Sequence, residues 1–407
     1  MPSAGDWPSK KSPIKNVALA SLRLVRVRLR TKLGSIRHDV NPAYNVSRVP
    51  SERESVFKSP LIVLVVVALS LPCAIANAGD DTLRSPWDLH PVAATGEPYT
   101  CPAPPQLPHD FATKSYYIDS HHSIADPALK KRYEDSVAAI QDFSRAVVKA
   151  ADAYQTKGSR AAALCVSTLL GDAAKQKALT GNMDGSQPSY VQGWNLGSWA
   201  VAYLKVRGSG VVSNQQSHEI LKWLKKLAED NRDYYEDKRR RPGALDAHNN
   251  HLYWAGFAIS AAAIANNDRG LFRWGMDAYR EGAHDIRDDG TLPLEMDRAQ
   301  MALHYHLYAL VPLVLLAEFG ETNGLDLYAE RDYAIKRLVA RCVAGLQDPS
   351  FFQQKTGVAQ VTTPEIQAWE IAWAQPYTRR FPDAKLSALI AQAKWLNDTT
   401  SGGLPPP

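Results

Sequence analysis

The sequence predicts an all-α domain, and three observations carry that expectation. From Asp126 onward, apolar residues recur at three- and four-residue spacing nearly to the end of the chain. The periodic stretches are separated by helix-breaking clusters: Gly181 to Ser186, Asn266-Asn267-Asp268, Asp288-Asp289-Gly290 and Asp348-Pro349. No strand-like alternation of any length competes with them. About ten helices of ordinary length joined by short loops imply antiparallel hairpins packed on one another.

Asp126-Pro127 supplies a cap and a first-turn proline for a long amphipathic helix running to about Thr156. Ser159 or Arg160 opens the next, which Gly171 punctuates. Further helical stretches fall near 189 to 206, 214 to 236, 250 to 266, 269 to 285, 297 to 319, 328 to 346, 364 to 377 and 384 to 396. Residues 126–397 thus read as the helical domain. Residues 79–125 are Pro-rich and irregular, an arm laid over the domain surface. The closing Ser401-Gly-Gly-Leu-Pro-Pro-Pro is low in complexity, and 398–407 read as a flexible, frayed tail.

With 407 residues, 45% of them apolar and 22% charged, the chain can bury a substantial core. Its net charge of +5 is unevenly placed. Residues 1–78 hold 12 Lys and Arg against 4 Asp and Glu, leaving 35 basic and 38 acidic residues for the remainder. The folded part is therefore nearly neutral, which argues against a nucleic-acid partner. The run Pro60 to Leu71, with Lys58 before it and Ala76-Asn77-Ala78 after it, has the length and flanks of a secretory signal and is too short to span a bilayer comfortably. Residues 56–78 are read as that signal, cleaved after Ala78, with no stable membrane insertion. A lipid anchor at Cys73 and a buried core strand are the alternatives. Residues 1–55, rich in Arg, Ser and Pro, read as a targeting presequence or as the product of a start site placed too far upstream.

Two segments concentrate chemistry: Asn249-Asn250-His251-Leu-Tyr253-Trp254, and Glu295-Met-Asp-Arg298 continuing to Tyr305-His-Leu-Tyr308. An amide, an imidazole, a guanidinium and a phenol can together neutralise a carboxylate, remove the proton beside it and expel an oxygen leaving group. Arg298 and Tyr305 are seven residues apart, nearly two helical turns, so on a continuous helix they share a face, with Glu295 placed to orient Arg298. His304 and His306 point elsewhere. Each residue also has a structural alternative: Asn250 a helix cap, Tyr305 a core aromatic, His251 a buried hydrogen-bonded ring. A zinc site is disfavoured, because His-Glu-x-x-His is absent and the pair His304 and His306 splays apart. No metal or cofactor is expected.

Both segments resemble the alginate lyases, the poly(β-D-mannuronate) lyase family of polysaccharide lyases. The resemblance covers roughly residues 100 to 380. It implies an (α/α) toroid with a deep cleft in which the Asn-His pair and the Arg and Tyr of the second motif converge. It also implies β-elimination on an anionic polysaccharide, with polymannuronate preferred, by a monomeric, exported enzyme. The roles that follow are Asn250 and Arg298 on the uronate carboxylate, His251 as base or carboxylate ligand, and Tyr305 as proton donor to the C4 oxygen. When proton and leaving oxygen lie on one face, as in mannuronate, Tyr305 can serve as base and acid; on opposite faces, as in guluronate, His251 is the base. Tyr190 and Trp194 match a segment lining the family's cleft and can stack on pyranose rings, or serve as helix-packing core. Lys114, Tyr116 and Tyr117 match a lid over the cleft. The resemblance favours a Cys101–Cys165 disulfide, with Cys342 a buried apolar thiol.

Two departures bear on substrate. Arg239 to His248 makes a longer basic loop before the first motif, and Ala299-Gln300-Met301 replaces an Arg/Lys-rich centre in the second. Both leave polyglucuronate and hyaluronan open as substrates. The competing readings are an (α/α) toroid glycoside hydrolase, which would use two carboxylates and water, and a non-catalytic glycan-binding protein.

Overall fold

A computed structural model describes residues 82–407. The proposed presequence and signal segment lie outside the described residues. The long helices are α1 (Pro127–Lys157), α2 (Arg160–Lys175), α3 (Ser186–Val206), α4 (Asn214–Arg239), α5 (Asn250–Asn266) and α6 (Arg269–Asp285). After the short α7 (Pro293–Met296) come α8 (Ala302–Thr322), α9 (Glu330–Gln347), α10 (Ser350–Thr356), α11 (Ala368–Ile371), α12 (Ala374–Arg380) and α13 (Ala384–Gln392). The breaks fall where small polar residues cap the following helix. Asp126, Ser159, Ser213, Asn249, Asp268 and Asp383 each accept a hydrogen bond from a first-turn N–H. Gly158 ends α1 at φ 69, where an added Cβ would lie 2.1 Å from the Ala93 carbonyl oxygen, so only glycine fits there.

Helices α3, α5 and α8 are buried on nearly every side, whereas α1, α4 and α6 are buried along one stripe. The first group is an inner layer; the second surrounds it. Helix α5 packs on α3, α4, α6 and α8, and α1 on α2 and α3. This is the toroid of helical hairpins that the resemblance implied. Helix α8 is long and apolar enough to cross a membrane, but it is 89% buried within the protein itself.

The arm before α1 is irregular and held down throughout. Asp88 pairs with Arg207, Trp87 packs edge-on against Phe319, and the two-residue strands β1 (Phe111–Ala112) and β2 (Met183–Asp184) pair in parallel. Cys101 and Cys165 form the disulfide, and Cys342 is a buried free thiol.

Five expectations need correction. Gly171 does not end α2, which continues to Lys175. The stretch 364 to 377 is two short helices, α11 and α12, and α13 stops at Gln392. The helix expected from 297 begins only at Ala302, because Ala299 takes a left-handed conformation (φ 49). Tertiary bonds claim the carbonyls that a helix there would use: His121 Nδ1 bonds Asp297 O at 2.7 Å, Gln360 Nε2 donates to Ala299 O at 3.0 Å, and Val361 N to Gln300 O at 2.8 Å. The tail is docked instead of frayed. The buried ammonium of Lys205 donates to Asp152 and to the carbonyls of Gly402 and Leu404, Leu404 N donates to Asp152, and Arg379 donates to Pro406 O.

Candidate active site

The two motifs meet through a buried carboxylate. Glu295 is 1% exposed; its Oε1 accepts from Asn250 N at 2.8 Å and from Asn250 Nδ2 at 2.9 Å, and its Oε2 lies 3.6 Å from Arg298 Nε. Asn249, not Asn250, caps α5, which frees the Asn250 side chain for this contact. Glu295 therefore orients Asn250 as well as Arg298. The cost to the expected role is one amide hydrogen: Asn250 retains one N–H and an unpartnered Oδ1 for a ligand.

Arg298 lies in the turn before α8, not on the helix with Tyr305. They meet all the same, with the guanidinium carbon 4.6 Å from the centre of the Tyr305 ring. The left-handed turn at Ala299 brings the side chain back over the ring. Its Nε is turned to Glu295 Oε2 just beyond hydrogen-bond length, so the ion pair anchors the guanidinium in that position. The Tyr305 hydroxyl donates to the Tyr117 hydroxyl at 3.1 Å. Burial, and then Tyr117, push the Tyr305 phenol well above its ordinary pKa despite the opposing pull of Arg298, so the resting group is protonated.

His251 opens the inner face of α5. Tyr190 stacks on its ring at 4.0 Å and 21°, Trp194 sits 6.0 Å away, and its Nδ1 has no partner. Burial first, and Arg298 second, lower its pKa to about 3. The imidazole is therefore neutral at physiological pH and able to accept a proton. His306 is different in kind: it bonds Ala302 O through Nδ1 and accepts from Leu292 N through Nε2, a strut between α8 and the segment carrying Glu295. Its two neighbours fix the tautomer, and burial lowers its pKa to about 4.

The lid candidates divide. Residues 116–126 form a small hairpin, bridged at Tyr117 and Ala125 and tied internally by the Asp119 carboxylate. It docks on the second motif through the His121 contact to Asp297 O and through Gln300 Nε2, which donates to Ser123 O. Tyr117 reaches the Tyr305 phenol. Tyr116 is buried beneath it against Tyr133, and Lys114 is exposed at the hairpin's foot with no contact to the four central residues.

Tyr190 does not offer a free face to a sugar, since His251 covers it. Its hydroxyl donates to Asp246, which also accepts from Lys238, and the Tyr190, Tyr234 and Ser186 hydroxyls lie around the same ammonium and share its remaining two N–H groups. Burial works against the Asp246 charge, but the bonds from Lys238 and Tyr190 outweigh it and hold the carboxyl below its usual range. Trp194 does face open space: with Tyr133, Ser198, Trp369 and residues 397–400 it lines a cavity of about 210 Å³.

The sequence reading missed Lys238, Asp246, Tyr117's direct bond to Tyr305 and Trp369. Lys238 carried a signal, being three and four residues from Tyr235 and Tyr234 on one helix face. Asp246 lies in the loop read as basic, where Arg239 and Arg240 are in fact paired with Glu281 and Asp237.

Comparison with known proteins meets this geometry from another side. The family model described as alginate lyase matches residues 110–352. A polysaccharide lyase of Stenotrophomonas maltophilia is 41% identical over 286 residues, covering 70% of this chain and 82% of its own. An alginate lyase of Pseudomonas putida is 32% identical, covering 69% and 76%. The crystal structure of alginate lyase A1-III from a Sphingomonas species superposes with a TM-score of 0.65 at 26% identity, covering 76% of this chain and 87% of that one. A histidine-to-alanine variant of the same lyase, complexed with a tetrasaccharide, gives 0.67 at 24%, covering 79% and 88%. With a buried Glu295 joining Asn250 to Arg298, and both motifs inside the matched region, the chain belongs to the alginate lyase family of polysaccharide lyases.

Proposed function

We propose that this lyase cleaves alginate, polymannuronate in preference, by β-elimination that leaves an unsaturated sugar at the new non-reducing end. The observation that supports the reading is that one buried carboxylate, Glu295, holds Asn250, which keeps an unused N–H, together with Arg298, whose guanidinium lies over the Tyr305 ring. A uronate carboxylate bound there loses much of its charge, which stabilises the enolate-like transition state and makes the C5 proton removable.

Tyr305, protonated at rest, is the acid for the C4 oxygen. For mannuronate, where proton and leaving oxygen share a face, the same phenol takes the C5 proton once it has been ionised against Arg298. A second reading is favoured by the depressed pKa of His251: a neutral imidazole beside a protonated phenol is already the base and acid pair required for guluronate, with no prior ionisation. The disulfide suits an oxidising compartment, which supports export to the periplasm or the medium. We take the working unit to be a monomer, since the lid and both motifs of the site come from one chain.

The test is a Tyr305→Phe variant assayed on polymannuronate and polyguluronate with chelator present, following the ultraviolet absorbance of unsaturated ends. Turnover is expected to fall on the order of 10² or more while the fold and most affinity are kept. Parent enzyme inactive on every polyuronate would overturn the assignment of substrate. A Tyr305→Phe enzyme with near-normal turnover would overturn that of the acid.

A further inference from the structure

Beyond the catalytic cleft, a second groove of about 590 Å³ opens between the N-terminal arm, α1 and the segment after α13. Its lining combines two aromatic residues, Trp395 and Tyr99, with three lysines, Lys149, Lys157 and Lys394. Trp395 is 72% exposed, the most exposed of the large apolar side chains among the described residues. An exposed indole set in a concave surface beside a second aromatic ring offers a face on which a sugar ring can stack.

The charges indicate what. Lys149 has no ion-pair partner among the described residues, and Lys157 and Lys394 have only solvent-exposed partners, Glu97 at 3.6 Å and Glu365 at 2.9 Å. Asp152, the other acid at the groove, is already neutralised by Lys205. Surface pairs of this kind exchange readily with a competing anion. Aromatic faces that stack on pyranose rings, with ammonium groups spaced around them, match a polymer carrying one carboxylate per ring. The groove also adjoins the cavity lined by Trp194 and Trp369, since Asn397 lines both.

We propose that this groove is a second polysaccharide-binding site, which holds a distant stretch of the same polyuronate chain whose other part lies in the cleft. It rests on the reading of the substrate as a polyuronate. Its effect is on polymer alone. A short oligosaccharide fills the cleft without reaching Trp395, whereas a long chain is held at both places, and the second contact raises the effective concentration of sugar at the first.

The experiment compares the parent with Trp395→Ala and with Lys149→Gln/Lys394→Gln. Each is assayed on long polymannuronate and on a tetrasaccharide, and each is run through a native gel containing polymannuronate. On polymer, kcat/KM is expected to fall roughly three- to tenfold in either variant, the scale of one lost stacking contact. On tetrasaccharide it is expected to stay unchanged, and retardation in the gel to weaken. Equal polymer kinetics and equal migration for all three proteins would overturn the proposal. So would a concentration-dependent dimer of the parent that Trp395→Ala abolishes, because the groove would then be a contact between copies. A parent retarded by polymer but unable to cleave any polyuronate would instead keep the groove and remove the proposed reaction.

Discussion

Glu295→Gln separates the geometry of the site from its chemistry, because Glu295 touches both motifs and sits behind the donors that would meet substrate. The glutamine is nearly isosteric, and its Oε1 can still accept from Asn250. At the other end an amide N–H2 replaces Oε2 and faces Arg298 Nε, donor against donor, across a gap that measures 3.6 Å in the parent. Removing one partner of a buried pair costs about 3–5 kcal/mol, and the retained Asn250 bonds recover part of it. A second effect opposes the loss. Burial raises the Glu295 pKa above its unfolded value of 4.5, so its contribution to stability is full below that value and declines as pH rises through the folded one. At neutral pH the charge is a burden that the amide lacks. The net expectation is a loss of about 2–3 kcal/mol. With roughly 2.1 cal/mol/K per residue over the described chain, that is a fall in Tm of about 3–4 °C. Activity should suffer more than stability. With Arg298 released, kcat/KM on polymannuronate should fall on the order of 10², the scale for losing a preorganised donor at a developing oxyanion. Differential scanning fluorimetry and the absorbance assay read the two effects separately. A variant with parental Tm and parental kcat/KM would refute the claim that Glu295 holds the site together.

Further outcomes follow from other parts of the molecule. If neutral His251 acts in the reaction, the acid limb of kcat/KM should lie near pH 3, because burial and Arg298 lower the imidazole; a limb near its ordinary 6.5 would remove that role. The same depressed group, with His306, makes stability fall as pH drops from about 6.5 toward 3 to 4, visible as a falling Tm in acid. Lys238→Met should cost on the order of 2 kcal/mol in chemical denaturation, less than a fully dry pair because the Asp246 side faces the rim, and a parental midpoint would count against the network. Cys101→Ser/Cys165→Ser opens a loop of 64 residues, for which loop entropy gives roughly 4 kcal/mol and measured losses run about 2–4; unchanged stability would show the arm to be held by its other contacts alone.

Much of the helical framework could be read from local rules. Asp126 and Ser159 announce their helices because a capping side chain acts within three residues, whereas the cap of α5 is Asn249 and not the neighbouring Asn250 that the sequence offered. The failures share a cause, which is competition from residues far away in sequence. The helix expected through Arg298 is interrupted by bonds from His121, Gln360 and Val361, none of which lies within fifty residues of Arg298 itself. The tail reads as frayed because Gly-Gly-Leu-Pro-Pro-Pro has no periodicity, yet its carbonyls are what Lys205 needs. Within the site, motif and spacing singled out Asn250, His251, Arg298 and Tyr305. The conclusion that Arg298 and Tyr305 meet was sound although the straight-helix route to it was not. That Tyr190 would support His251 could not be read, since stacking between α3 and α5 depends on how two helices cross.

The docking of residues 402–404 also orders events during synthesis. Asp152 and Lys205, on α1 and α3, leave the ribosome about two hundred residues before the carbonyls and amide that complete their hydrogen bonding. Until then a carboxylate and an ammonium must either stay wet or be buried with donors unfilled, and the second is costly. The seam between the first and third helices therefore cannot close stably on a nascent chain. Final consolidation waits until residues 402–404 are made, and a chain lacking them would carry that open seam permanently.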